Sequence, residues 1–388
     1  MTPANRGSKF GALYIQRMGG LQETGLTQVC VDPMLPHMSS NFEQQANVHI
    51  LARTWDRILD VGLPWSEADP KSAIARLILT TGHLLKGNYR EAYEQHDVLF
   101  RQASEEDGSE TEDCRPILKA FAEGLVNLHP ENAGAHLFLG ITLAQLGEVE
   151  NAIREYKESS RLAPDEAYAH YFQGQAYEVL DRVDTAIREY REAVQFAPQN
   201  ASMRLNLGSA YHRQGNLESA IPQFREAIKL NPSDPMAHYN LGLALAEQGR
   251  FEPAIAAYKE AARLNPQDAL AHYALGLVME TKGRLPQAIA EFLAASEIAP
   301  SFASAHSKLG WLYYKQNKIS EAAEALEKAV GYDGKDCEAL HGLGLTKLAQ
   351  GKEEDALNYL KRAYEQEDRP DKKIAIRGVL VRMGALSY

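Results

Sequence analysis

Between residues 133 and 370 the apolar positions fall into helix-length runs that alternate with short polar breaks. One stretch shows the grammar. Met236 to Gln248 carries residues that favour a helix, and Gly249 stops it. Phe251 to Leu264 reads as a second helix. Its Pro253 falls in the first turn, where backbone N–H groups have no intrahelical partner to lose. Asn265 and Pro266 then mark the exit. The same grammar recurs at a fixed distance. Gly140, Gly174, Gly208, Gly242, Gly276, Gly310 and Gly344 stand 34 residues apart without an insertion. Ala152, Ala186, Ala220, Ala254, Ala288, Ala322 and Ala356 keep step with them. So does a column of large residues: Tyr156, Tyr190, Phe224, Tyr258, Phe292, Leu326 and Leu360. Pro164, Pro198, Pro232, Pro266 and Pro300 close the first five periods, and Gly334 and Asp368 take that place in the last two.

These residues resemble the tetratricopeptide repeat (TPR), a 34-residue helix–turn–helix unit. Seven units cover 133–370. The resemblance implies an all-α fold, a right-handed superhelical solenoid of antiparallel helix pairs. The physics of the residues agrees. Gly242 and Ala254 are small enough for paired helices to approach closely, and Tyr258 and Ala261 are expected to pack against the next unit. A single pair cannot bury its apolar faces, so stacking supplies the core. Residues 371–388 place Ile374, Ile376, Val379, Leu380 and Met383 beside Lys372, Lys373, Arg377 and Arg382, the pattern of a C-terminal capping helix.

The region upstream is less regular. Residues 1–39 read as a poorly ordered leader, and 40–132 as a helical region with one or two degenerate TPR-like units. Ser40 and Glu43 have capping-box spacing, and Val48, Leu51, Trp55, Ile58 and Leu59 form a helical stripe. That helix is expected to cover the end of the solenoid; docking in a groove, its own or that of a second copy, is the competing reading. Asp69-Pro70 starts a helix–turn–helix through Arg101. Arg115 to Leu128 matches the second helix of a further unit, with Pro130 placed 34 residues before Pro164. Residues 105–113 are crowded with acids and read as a solvated loop, or as a docking strip for a basic partner.

In the TPR family the first helix of each pair lines a concave face through positions 2, 5, 9, 12 and 13. Carried onto this chain, the first unit offers Leu137 and Ile141, and the second Tyr168, Tyr171 and Gln175. Leu205, His212 and Arg213 follow in the third, then Met236, Tyr239 and Leu243 in the fourth. The fifth contributes Tyr273 and Leu277, the sixth Trp311 and Tyr314, and the last His341 and Leu345. Tyr and Trp are favoured interface anchors, so this face is expected to hold a peptide or amphipathic helix of a protein partner. The competing reading packs several of these side chains between units. The Lys and Asn of the carboxylate-clamp co-chaperones are replaced here by Leu137/Ile141, Tyr171/Gln175 and Leu205/Ser209. Of the asparagine ladder found in O-GlcNAc transferases, Asn206 and Asn240 are the matching positions.

Composition narrows function without naming a partner. Asp and Glu outnumber Lys and Arg 52 to 41, which does not suit a general phosphate-backbone binder. Cys30, Cys114 and Cys337 are far apart and form no CxxC, so neither a disulfide framework nor a zinc site is expected. His136, His170, His238, His272 and His306 share position 4, but helices packed ~8–10 Å apart do not converge ligands on one ion. They read as packing histidines whose titration would soften the stack in acid. No GxxxxGK[ST], GxSxG or HExxH occurs, so no enzyme and no cofactor is expected. No apolar run reaches the ~18–20 residues of a membrane span. Arg6, Lys9 and Arg17 precede the first acid, Glu23, a pattern that admits organelle import, although a cytoplasmic protein is the simpler reading. The expected function is a non-catalytic interaction scaffold or adaptor. The alternatives are an assembly factor or chaperone for a multiprotein complex, a regulatory or substrate-recruiting subunit of an enzyme or secretion machine, and self-association through residues 48–59.

Overall fold

The computed structural model describes residues 115–386 together with Leu79, Thr80, His83 and Glu91. The leader, the 48–59 helix with its proposed self-association and the acidic loop at 105–113 lie outside the described residues. So does the 69–101 helix–turn–helix, apart from those four positions.

Sixteen helices run from residue 115 to residue 382, and no strand is present among the described residues. Helix α1 (Arg115–Leu128) precedes the first pair. The pairs α2 (Ala133–Gln145) with α3 (Val149–Leu162) and α4 (Ala167–Val179) with α5 (Val183–Phe196) complete a first compact body, which ends at Gln199. A second body begins at Asn200. It holds α6 (Ala201–Arg213) with α7 (Leu217–Leu230), α8 (Pro235–Glu247) with α9 (Phe251–Leu264), and α10 (Ala269–Thr281) with α11 (Leu285–Ile298). Then come α12 (Ala303–Lys315) with α13 (Ile319–Tyr332), α14 (Cys337–Ala349) with α15 (Glu353–Gln366), and a final α16 (Pro370–Arg382). Within each body, each second helix packs on its own partner and on the first helix of the next pair. The result is an all-α solenoid.

Each pair is built from the same parts. The first helix has 13 residues and the second 14 throughout. Asn132, Glu166, Asn200, Asp234, Asp268 and Asp336 cap the first helices by accepting backbone N–H bonds, each worth about 1 kcal/mol. Phe302 sits at that place before α12 and makes no such bond. After the first helix the chain reverses through a left-handed residue. Most pairs use glycine there, but Asp181 (φ 55°) and Asn317 (φ 60°) do so without it.

The glycine column exists because an aromatic ring occupies its space. A methyl group added at Gly140, Gly174, Gly208, Gly242 or Gly276 would lie 2.5–2.8 Å from the ring of Tyr156, Tyr190, Phe224, Tyr258 or Phe292. Those rings are at most 2% exposed. Leu326 and Leu360 play the same part against Gly310 and Gly344. Tyr258 closes over Gly242 and lies 5.6 Å from Tyr239, both in its own pair, and it shares one apolar core with Ala274 and Leu275 of the next.

Helix α16 covers the apolar end of α15 with Ile376, Val379 and Leu380. Ile374, expected on that stripe, is 69% exposed, because two residues along a helix is more than half a turn away from Ile376. The approach to α16 is tied by Glu367, which is buried and takes a two-pronged ion pair from Arg369 (2.8 and 2.9 Å). That pairing holds the Glu367 carboxyl down to about 2. Among the described residues no helix is long and apolar enough to cross a membrane.

Candidate partner-binding face

First helices of neighbouring pairs touch one another, α6 with α8, α8 with α10 and α12 with α14, so their outward sides join into a surface. In the second body this surface is apolar at its middle. Leu205, Tyr239, Leu243, Tyr273 and Leu277 are half-buried, with their inner edges packed on the core. Met236 and Leu270, at the second position of α8 and α10, are 50% and 56% exposed. Tyr273 is wedged between Phe302 (4.9 Å) and Phe292 (5.5 Å). Burial pushes its phenol upward, as it does that of Tyr239, so both stay neutral donors across the ordinary pH range.

One edge of the surface is laced by polar contacts between consecutive first helices. His212 meets Glu247 at 2.9 Å and Lys315 meets Glu280 at 3.4 Å. Arg213 is exposed on the same edge. Toward the C-terminus the surface becomes polar and locked. Trp311 donates its indole N–H to the Glu338 carbonyl (3.0 Å) and packs edge-on against Tyr314 and His341. Gly342 leaves room for that indole. The Glu338 carboxylate is held by Lys372 at 2.6 Å and faces Lys308 at 3.8 Å. Burial works to raise this carboxyl, but the Lys372 bond and the surrounding cations outweigh it and keep it low. Burial and Lys372 together depress the His341 imidazole. Leu345 is half-buried on the same helix.

In the first body the corresponding positions are less open. Leu137 and Ile141 are 1% and 5% exposed and present no surface to a partner. Tyr168 and Tyr171 pack edge to face at 6.5 Å, and Gln175 donates to the Tyr171 hydroxyl at 2.9 Å. A polar cleft between α1 and the α2/α3 pair is bridged by Lys119 and Glu148 at 2.6 Å. Among the described residues no three His, Cys, Asp or Glu side chains converge to hold a metal ion.

Three features of this region do not follow from the sequence reading: the capping column, the polar lacing and the Trp311 tether. The first was readable, since Asn or Asp stands one residue before most first helices. The lacing pairs are 35 residues apart, one more than the period, so they fall off every column that the repeat aligns.

Residues 90–342, more than half of the chain, match the family model described as the cilia and flagella-associated protein 70 C-terminal domain, a TPR domain. The chain belongs to this TPR family. No curated protein matches it. Among solved structures, the TPR chain matches the C-terminal part of a repeat protein from Cytophaga hutchinsonii with a TM-score of 0.51 and 16% identity. That match covers 61% of this chain and 97% of the other. PilF of Pseudomonas aeruginosa matches with a TM-score of 0.48 and 20% identity, over 53% of this chain and 94% of its own. YrrB, described as a TPR protein with an unusual peptide-binding site, matches with a TM-score of 0.43 and 23% identity, over 47% and 95%.

Proposed function

We propose that this TPR protein is a non-catalytic interaction scaffold whose second body receives an apolar segment, a peptide or one face of an amphipathic helix, from a protein partner. The observation that carries the reading is the exposure of Met236 and Leu270 above a floor of half-buried Tyr239, Leu243, Tyr273 and Leu277. Large side chains left half in water across two adjacent pairs form the kind of patch that partners cover. Their inner edges are already packed, so little ordering entropy opposes binding. The family description points to cilia or flagella as the setting in which to seek the partner.

Met236→Glu with Leu270→Glu tests the reading. Both side chains are exposed enough for the helices to tolerate charge. The double variant is expected to keep the thermal midpoint of the parent within a few degrees. It should also lose about 10-fold or more in affinity for a partner recovered by affinity purification. Undiminished recovery of that partner by the folded variant would refute this site.

A further inference from the structure

The position-4 histidines have one property that packing does not require. His170 faces two groups, and both are acceptors. Its Nδ1 lies 2.9 Å from a carboxylate oxygen of Glu189 on α5, and its Nε2 lies 3.4 Å from the carbonyl oxygen of Pro164, ahead of α4. The ring is mostly buried and stacks on Phe196 at 5.8 Å. A neutral imidazole has one N–H and one lone pair. In this setting the lone pair would confront either a carboxylate or a carbonyl, with no proton between them. The doubly protonated ring satisfies both.

We propose that His170 is a proton-held latch: an imidazolium that ties α5, the start of α4 and the loop that enters it, and that releases the Pro164 carbonyl when its proton is lost. The release is confined to that leg, because a neutral ring keeps its stronger bond by donating Nδ1–H to Glu189.

The surroundings favour the charged ring. Glu189 and Glu192 face it from α5, and Glu166 faces it from the N-cap of α4. The Glu189 hydrogen bond is the largest influence. It outweighs burial and, with the two acids of α5 and the Pro164 bond, raises the imidazole above its ordinary value. Glu166 has its own carboxyl pushed upward by burial. The sign of the linkage follows. A folded-state value above the unfolded ~6.5 gives stability that is complete below ~6.5 and is lost as the pH rises through the folded value. At His170 this sign is opposite to the acid softening expected of the column from the sequence. The arrangement is repeated one pair earlier, where His136 meets Glu155 at 2.7 Å and the Pro130 carbonyl at 3.0 Å. Other pairs keep one leg each: His272 has Glu291 at 2.8 Å, and His238 and His306 have the carbonyls of Pro232 and Pro300.

The experiment is a nitrogen-15 imidazole titration of the full chain from pH 6 to 9, with His170 assigned by its loss in His170→Gln. Both ring nitrogens are expected to report N–H at pH 7, with a midpoint above that of free imidazole. Glu189→Gln should move the midpoint downward, since the amide oxygen still accepts a bond but carries no charge. Hydrogen exchange at the start of α4, corrected for its intrinsic pH dependence, should speed up through the same midpoint in the parent and not in His170→Gln. A midpoint at or below the free value, or one that Glu189→Gln leaves in place, would overturn the latch. So would exchange that keeps its pH dependence without the imidazole.

Discussion

Phe292→Ala is expected to cost about 3–5 kcal/mol, the range for removing a fully buried aromatic side chain. Phe292 has no exposed surface and lies 5.5 Å from the ring of Tyr273. Opposite it stands Gly276, where an added methyl would come within 2.7 Å of the ring. A cavity there cannot collapse easily, because the backbones of α10 and α11 are held apart by neighbours on both sides. Gly276→Ala overfills the same space and is expected to cost about 1–3 kcal/mol. The double variant should cost less than the sum of the two by about 1 kcal/mol or more, since the new methyl enters the vacated volume. Hydrogen exchange in α10 and α11, read beside urea unfolding, measures all three. Additive costs would show that glycine and ring do not share one site.

A second large effect is expected at Lys347. Its side chain is 9% exposed, inside a helix whose other buried residues are apolar apart from Thr346, and its ammonium is paired with Glu327 of α13. Glu327→Gln is expected to cost about 1–2 kcal/mol, because it leaves a buried ammonium with a neutral acceptor in place of a half-exposed carboxylate. Lys347→Met removes the charge together with the need for a partner, and it should fall within about 1 kcal/mol of the parent. The asymmetry is the test: thermal unfolding of the two variants should place Lys347→Met well above Glu327→Gln. Equal losses would mean that the pair contributes through its packing alone.

Much of the solenoid was legible because a repeat reports the same fact many times. One glycine opposite one aromatic is an accident; five such pairs with the same spacing describe a joint. Helix bounds followed from that redundancy, as α9 shows by running from Phe251 to Leu264 as its sequence reads. What stayed hidden was mostly what departs from the repeat. Lys347 occupies a place where other units hold apolar residues, so its partner had no column to appear in. Ile374 shows the other limit. Without a repeat to set the phase, the apolar residues of α16 do not by themselves show which of them face inward. The histidines form a column, yet their surroundings depend on Glu155, Glu189 and Glu291, which stand 19 residues away and acquire meaning only once two helices are paired. The candidate face was legible as a set of positions, but not in its exposure. Leu137 and Ile141 match Tyr239 and Leu243 in position and differ from them in being closed to solvent.

The constant 13- and 14-residue helices of the second body make its helix pairs interchangeable parts. Helix α7 packs on α8 as α9 packs on α10, and within their own pairs Phe224 and Tyr258 close over Gly208 and Gly242 in the same way. Excising residues 235–268 would remove one whole pair and bring α10 onto α7, in the register that α8 had occupied. The chain can therefore change its length by duplication or loss of 34-residue blocks without inventing a new contact. Its reach is adjustable on an evolutionary timescale, while the chemistry of each joint is kept.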